Sequence, residues 1–108
     1  MTNKLVILSA ACCDPRMESY DQQYRSRLEE TLEKIGLTAS IEILPVTAVM
    51  FGGYEKLISQ IRPHFEDYGF AIAPALFINE ELALYGGVPP LDVLITVLNQ
   101  SLRKNAED

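Results

Sequence analysis

Two neighbouring cysteines, Cys12 and Cys13, are the side chains in this sequence with the clearest chemical potential. They follow a short apolar run, residues 4–10, that is typical of a strand buried on both faces. They precede Pro15, a residue that is typical of the first turn of a helix. The start of a helix concentrates N–H groups and the positive end of the helix dipole, and both lower the pKa of a nearby thiol. We therefore predict that one of the two thiols is more nucleophilic than a free cysteine.

The adjacency of Cys12 and Cys13 limits the chemistry that they can share. Neighbouring Cα atoms lie about 3.8 Å apart across a trans peptide bond, whereas disulfides prefer about 4.4–6.8 Å, so we expect no stable bridge between them. A mixed disulfide with a partner, or shared coordination of a soft metal or metalloid, is open to both thiols because thiolates favour soft ions. Two thiolates do not complete a zinc site, and the single histidine, His64, lies on a different predicted helix. We therefore expect no zinc or iron–sulfur site within one subunit, and a site shared across a dimer stays open. The alternative is that both thiols are small apolar residues packed in a buried turn.

The elements that would position the cysteines follow from hydrophobic spacing. Apolar residues three and four apart predict a helix over residues 17–35, which Gly36 should end in the left-handed conformation. A second strand is predicted over residues 38–44. A second helical stripe covers residues 54–68, with Pro63 inside it, and the proline should kink or restart the helix. Before it, residues 46–51 form either a loop or the start of that helix.

The last third of the chain predicts a hairpin and a final helix. Two short strands, residues 75–78 and 82–85, surround the tight turn Asn79-Glu80-Glu81. Pro89 and Pro90 then open a last helix. The order is β-α-β-α-β-β-α, in which strand–helix–strand implies a right-handed crossover and a parallel pair. We therefore predict a single α/β domain over residues 1–108, a mixed four-stranded sheet flanked by three helices.

Composition and charge exclude several classes of function. The chain has 108 residues and a net charge of −6, so it gains nothing from phosphate neutralisation. We expect neither nucleic-acid binding nor attachment to an anionic membrane surface. No stretch approaches the roughly 18 apolar residues of a membrane span, and the apolar run of residues 5–8 is shorter than the roughly 7–15 residues of an export signal. We expect a cytoplasmic protein, where thiols stay reduced.

The order of elements, with cysteine after the first strand and Ala73-Pro74 before the third, resembles the thioredoxin fold. In that fold the proline at the matching position is cis and faces the active-site cysteine. The resemblance implies a cis Ala73-Pro74 bond and a site bordered by Pro74, with Cys12 at the position of the first thioredoxin cysteine. A Cys-x-x-Cys pair would need its second thiol at Pro15 or Arg16. We therefore expect no self-contained dithiol oxidoreductase.

The chain is also similar to the ArsD family of arsenical-resistance proteins. That family has a thioredoxin-like fold, a Cys-Cys pair directly after the first strand, and a proline–strand–turn–strand–Gly–Pro tail like residues 74–89 here. Its members act as metallochaperones that hand arsenite or antimonite to an efflux ATPase, and some act as weak repressors. The resemblance implies that Cys12 and Cys13 are metalloid ligands. The third thiol of that family has no counterpart in residues 16–20.

These observations lead to one functional prediction and two alternatives. The prediction is a thioredoxin-like protein that uses Cys12, the candidate reactive thiol, and Cys13 to bind a soft metal or metalloid or to form mixed disulfides. No cofactor is required beyond such an ion. The first alternative is a non-catalytic thioredoxin-fold interaction module, in which Val93, Val97 or the segment Val46–Phe51 contacts a partner protein or a second copy. The second is a one-cysteine peroxidase or glutaredoxin-like enzyme.

Overall fold

One mixed four-stranded sheet forms the centre of the protein, as predicted. The computed structural model describes residues 3–11 and 15–107, the side chains of Phe70 and of residues 103–107 excepted. The strands are β1 (Asn3–Ser9), β2 (Ala39–Pro45), β3 (Ala75–Ile78) and β4 (Glu81–Leu84). Their order in the sheet is β2-β1-β3-β4, with β1 parallel to β2, and with β3 antiparallel to both β1 and β4. Strand β1 therefore lies between β2 and β3, and it ends at Ser9, three residues before Cys12 in the sequence.

Four α-helices flank the sheet within the described residues, so the prediction of three was wrong. They are α1 (Glu18–Ile35), α2 (Val46–Phe51), α3 (Glu55–Tyr68) and α4 (Leu91–Glu107), with 3₁₀ turns at Pro15–Met17 and Gly69–Ile72. The extra helix is α2, which begins after the extended Pro45 and is separated from α3 by a glycine pair in which Gly53 has a φ of 85°. A single helix runs across Pro63 without a restart. None of the described helices is long and apolar enough to cross a membrane.

The sheet separates two apolar clusters because successive side chains of a strand point to opposite faces. In β1, Leu5 and Ile7 face the cluster that α1 and α4 cover, whereas Val6 and Leu8 face the cluster that α2 and α3 cover. Gly36 ends α1 with a φ of 72°, as predicted. The first cluster consists of Leu5, Ile7, Tyr24, Leu28, Leu32, Leu76, Ile78, Leu94, Leu98 and Leu102. Val97 packs against this cluster, so core packing explains why this position of α4 is apolar.

The hairpin of β3 and β4 turns more tightly than the sequence predicts. Its loop is Asn79-Glu80, with φ angles of 50° and 72°, and β4 begins at Glu81. Positive φ at both central residues is the geometry of a type I′ turn, whose twist matches that of the flanking strands. Gln60 of α3 fastens this edge of the sheet: its Nε2 donates to the carbonyl of Glu80 at 2.7 Å, and its Oε1 accepts from the N–H of Leu82 at 2.7 Å. The hairpin is thereby held against α3.

Candidate functional site

The two predicted site cysteines, Cys12 and Cys13, lie outside the described residues. The structure does describe the residues that flank them in the chain. Ala11 follows the end of β1 in a turn, and Pro15 begins the 3₁₀ turn that leads into α1. The bounds of these elements agree with the predicted position of the pair in the chain, between the first strand and the first helix.

The third predicted site residue, Pro74, lies at the same end of the sheet. The Ala73-Pro74 peptide bond is cis, as predicted. Leu8 of β1 pairs with Ala75 of β3 in antiparallel register, which brings Pro74 alongside Ser9. The segment that contains Pro74 is also bonded to the residues after β4, because the N–H of Gly86 donates to the carbonyl of Ile72 at 2.8 Å. Pro74 therefore lies beside Ser9, which is three residues before Cys12 in the chain.

A groove of about 320 Å³ joins Pro74 to the start of α1. One wall comes from residues at successive turns of the first helical segment, and the other from the cis-proline loop and the approach to α4. The lining residues are Met17, Tyr20, Gln23, Arg27, Ala73, Pro74, Gly87 and Val88. Tyr20 is 48% exposed and provides a flat apolar surface at the opening. The groove can therefore accept an apolar ligand segment beside the residues that follow the cysteines.

Arg27 is the one charged side chain among the described residues that line this groove. It is half-buried, and its Nη1 donates to the carbonyl of Pro89 at 2.7 Å. The hydrogen bond anchors the guanidinium between α1 and the loop that precedes α4. Sequence analysis did not identify Arg27, because a single arginine in a helix with many charged residues carries no distinguishing pattern.

A buried hydrogen-bond chain supports the backbone that enters the cysteine segment. The hydroxyl of Ser9 donates to Oδ2 of Asp21 and accepts from the N–H of Ala11 at 3.0 Å. Asp21 is 3% exposed, and burial raises the pKa of its carboxyl, the hydrogen bond from Ser9 lowers it, and the charge of Glu18 raises it. This chain ties α1 to the residue that directly precedes Cys12.

Asp21 also marks what sequence analysis missed. It lies three residues before Tyr24 and seven before Leu28, both fully buried, so it occupies the apolar face of α1. A carboxylate at a core-facing helical position is uncommon unless it is paired. That signal was present in the sequence and could have identified Asp21. Among the described residues, Oδ1 of Asp21 and the hydroxyl of Tyr24 have no hydrogen-bond partner.

The described part of the chain contains no group of three histidine, cysteine, aspartate or glutamate side chains placed to hold a metal ion. His64 lies on α3, where its ring stacks on Tyr85 with centroids 4.3 Å apart. The ring of His64 therefore contacts an aromatic neighbour.

The arrangement as a whole places three features at one end of the sheet: the cis-proline loop, the groove with Arg27, and the Ser9–Asp21 hydrogen bond. Chemically, the groove can bind and orient a ligand, and the hydrogen-bond chain can fix the backbone next to Cys12. No family model, no curated protein and no solved structure matches this chain.

Proposed function

We propose that this chain is a thioredoxin-like thiol protein, in which Cys12 and Cys13 bind a soft metal or metalloid or form mixed disulfides with a partner. The observation that carries the proposal is the groove that Pro74 shares with Met17 and Tyr20, at the end of the sheet where β1 leads into the cysteine segment of the chain. The sheet order β2-β1-β3-β4 supports the thioredoxin-like interpretation, since a parallel first pair and an antiparallel hairpin meet around β1.

The surroundings suit a thiol that meets a ligand from outside. A reactive sulfur needs an approach path, and the groove is open beside the helix start that follows the pair. It also needs a defined backbone, and the N–H of Ala11 is held by Ser9, which is held in turn by the buried Asp21. Pro74 has no N–H to donate, so its contribution is the shape of the groove.

The pair also supports a chelating role. The chain has two cysteines, and they are adjacent, so one soft ion that accepts two sulfurs would be bound by both at once. A second ligand attached to the first gains affinity through its effective concentration, by about 10²–10⁴-fold. Chelation and mixed-disulfide formation are distinguished by whether both sulfurs are required.

Titration with phenylarsine oxide, a trivalent arsenical with two positions open to thiols, tests the chelating role. We expect one equivalent to bind to the wild-type protein, and we expect Cys12→Ser and Cys13→Ser each to weaken binding by about 10²-fold or more. Ser101→Ala, a change away from the groove, serves as the matched control. Binding that is indistinguishable between the wild type and Cys12→Ser would remove chelation from the proposal.

The mixed-disulfide role is tested with the same variants and 2-hydroxyethyl disulfide, with the adducts detected by mass spectrometry. We expect Cys13→Ser, which retains Cys12, to react faster than free cysteine at pH 7, because a lowered thiol pKa supplies more thiolate. Reaction no faster than that of free cysteine, together with no arsenical binding, would favour the non-catalytic interaction module.

A further inference from the structure

We propose that the groove selects an extended peptide with an acidic side chain, and that Arg27 binds its carboxylate. The inference rests on the proposed function for the reacting sulfur and names the substrate class for that site. It begins from the charge of the groove: Arg27 is the one charged side chain among its described lining residues, in a protein whose net charge is −6.

The guanidinium of Arg27 is placed to accept such a ligand. One nitrogen, Nη1, donates to the carbonyl of Pro89 at 2.7 Å. A guanidinium carries five N–H donors in a planar fork, so this bond leaves donors for a second acceptor. A carboxylate is the acceptor that matches the fork, because it can take two parallel N–H bonds. The bond to Pro89 also holds the side chain in place, which reduces the entropy lost when a ligand binds.

The shape of the groove indicates an extended chain. Tyr20, Gln23 and Arg27 lie on one face of α1, spaced by three and four residues. From Met17 to Arg27 the helix advances ten residues, or about 15 Å at 1.5 Å per residue. An extended peptide covers that distance in about four or five residues. An extended peptide that lies along this wall should therefore present its acidic residue to Arg27 about four residues away from the peptide residue that lies beside Met17.

The reaction at the site is thiol–disulfide exchange. The thiolate of the protein attacks the peptide sulfur of a peptide disulfide, the peptide S–S bond breaks, and the departing sulfur leaves with the electron pair. The protein thiol is oxidised to the disulfide level, and the leaving group is reduced. With a pyridyl disulfide of the peptide, the leaving group is pyridine-2-thione, and its absorbance reports the rate.

The test compares two blocked peptides, Ac-Cys-Ala-Ala-Ala-Glu-amide and its Gln analogue, each as the 2-pyridyl disulfide, together with the pair of reversed sequence. At low ionic strength we expect the Glu peptide of one orientation to react about fivefold faster than its Gln analogue, a factor within the range of a partly exposed ion pair. Replacement of Arg27 by a neutral residue takes the net charge from −6 to −7, so the preference for the Glu peptide should disappear or reverse. We therefore expect Arg27→Gln to abolish the Glu advantage, so that the ratio of the Glu rate to the Gln rate falls from about five to one or below.

Arg25→Gln is the matched control, since Arg25 is exposed on the same helix and pairs with Glu29 at 3.2 Å. It should retain the Glu preference of the wild type. Equal rates for the Glu and Gln peptides in both orientations, or a preference that survives Arg27→Gln, would overturn the inference while leaving the thiol function intact. If no peptide reacts faster than with free cysteine, the mixed-disulfide role of the proposed function fails. Fluorescence anisotropy of a labelled peptide with alanine in place of cysteine then decides the inference: weaker binding to Arg27→Gln supports it, and equal binding refutes it.

Discussion

Replacement of Ser9 by alanine removes the hydroxyl that joins Asp21 to the N–H of Ala11. The hydroxyl donates to Oδ2 of Asp21 and accepts from Ala11 at 3.0 Å. Because Asp21 is buried within the first turn of α1, water does not readily replace the lost donor. We predict that Ser9→Ala destabilises the protein and leaves the buried carboxylate without its described donor.

The magnitude follows from the two hydrogen bonds. A hydrogen bond to a charged group contributes about 1.5–3 kcal/mol to stability, and a neutral one contributes about 1 kcal/mol. Loss of both predicts that the free energy of unfolding falls by about 2.5–4 kcal/mol at pH 7. Domains of this kind have unfolding free energies of about 5–15 kcal/mol, so the variant should still fold and be measurable.

The pH dependence gives the sharper prediction. Burial raises the pKa of Asp21, Ser9 opposes that rise and the charge of Glu18 adds to it. A carboxyl whose pKa is higher in the folded protein than in the unfolded protein stabilises the fold as long as the carboxyl is protonated. That contribution is complete below the unfolded pKa of about 3.9 and is lost as the pH rises through the folded pKa. Removal of Ser9 raises the folded pKa further, so Ser9→Ala should cost more stability at pH 7 than at pH 4.

Urea unfolding at pH 4 and at pH 7 measures both costs. Ser59→Ala is the control, because Ser59 is exposed and its hydroxyl donates within α3, to the carbonyl of Lys56 at 3.1 Å. Its effect should stay within about 0.5 kcal/mol. In an Asp21→Asn background the cost of Ser9→Ala should fall to about 2 kcal/mol or less, since both hydrogen bonds of the hydroxyl are then neutral. An equal cost at both pH values and in both backgrounds would refute the argument that the hydroxyl stabilises a charged carboxylate.

Two further predictions concern backbone strain and an unpartnered hydroxyl. Glu80→Gly should raise the free energy of unfolding by about 0.5–1 kcal/mol, because Glu80 has a φ of 72° and glycine adopts that conformation without steric cost. Loss of the exposed ion pair between Glu80 and Lys56, 3.4 Å long, offsets little of that gain. Thermal unfolding measures the change, with Glu81→Gly as the control. A lower Tm for Glu80→Gly than for the wild type would contradict the prediction. Tyr24→Phe should leave stability unchanged or raise it by about 1 kcal/mol, because the buried hydroxyl has no hydrogen-bond partner among the described residues. Urea unfolding that shows a loss above about 1 kcal/mol would mean that the hydroxyl is bonded after all.

Hydrophobic spacing was sufficient to predict the long elements. The apolar face of α1 was predicted from side chains three and four residues apart, and its end was predicted from Gly36. The hairpin was predicted from two short apolar runs around a polar turn. The cis bond at Pro74 came from a resemblance and was confirmed.

The helix α2 shows where local pattern stops being informative. Its six residues are too few to show a helical period, so the sequence does not distinguish a short separate helix from a loop or from the start of the next helix. Val46 and Val49 are buried in the second cluster, so packing against the sheet stabilises this short helix. An isolated helix of that length is not stable in water.

The sequence by itself determined which residues could do chemistry and where along the chain they fall: the adjacent Cys12 and Cys13, the proline before the third strand, and the periods that build a sheet between helices. Only the tertiary structure decided which distant residues share a site, because strand register and helix packing depend on contacts far apart in the chain. It placed Pro74 beside Ser9, linked the buried Asp21 through Ser9 to the N–H of Ala11, and brought Arg27 into the same groove as Pro74.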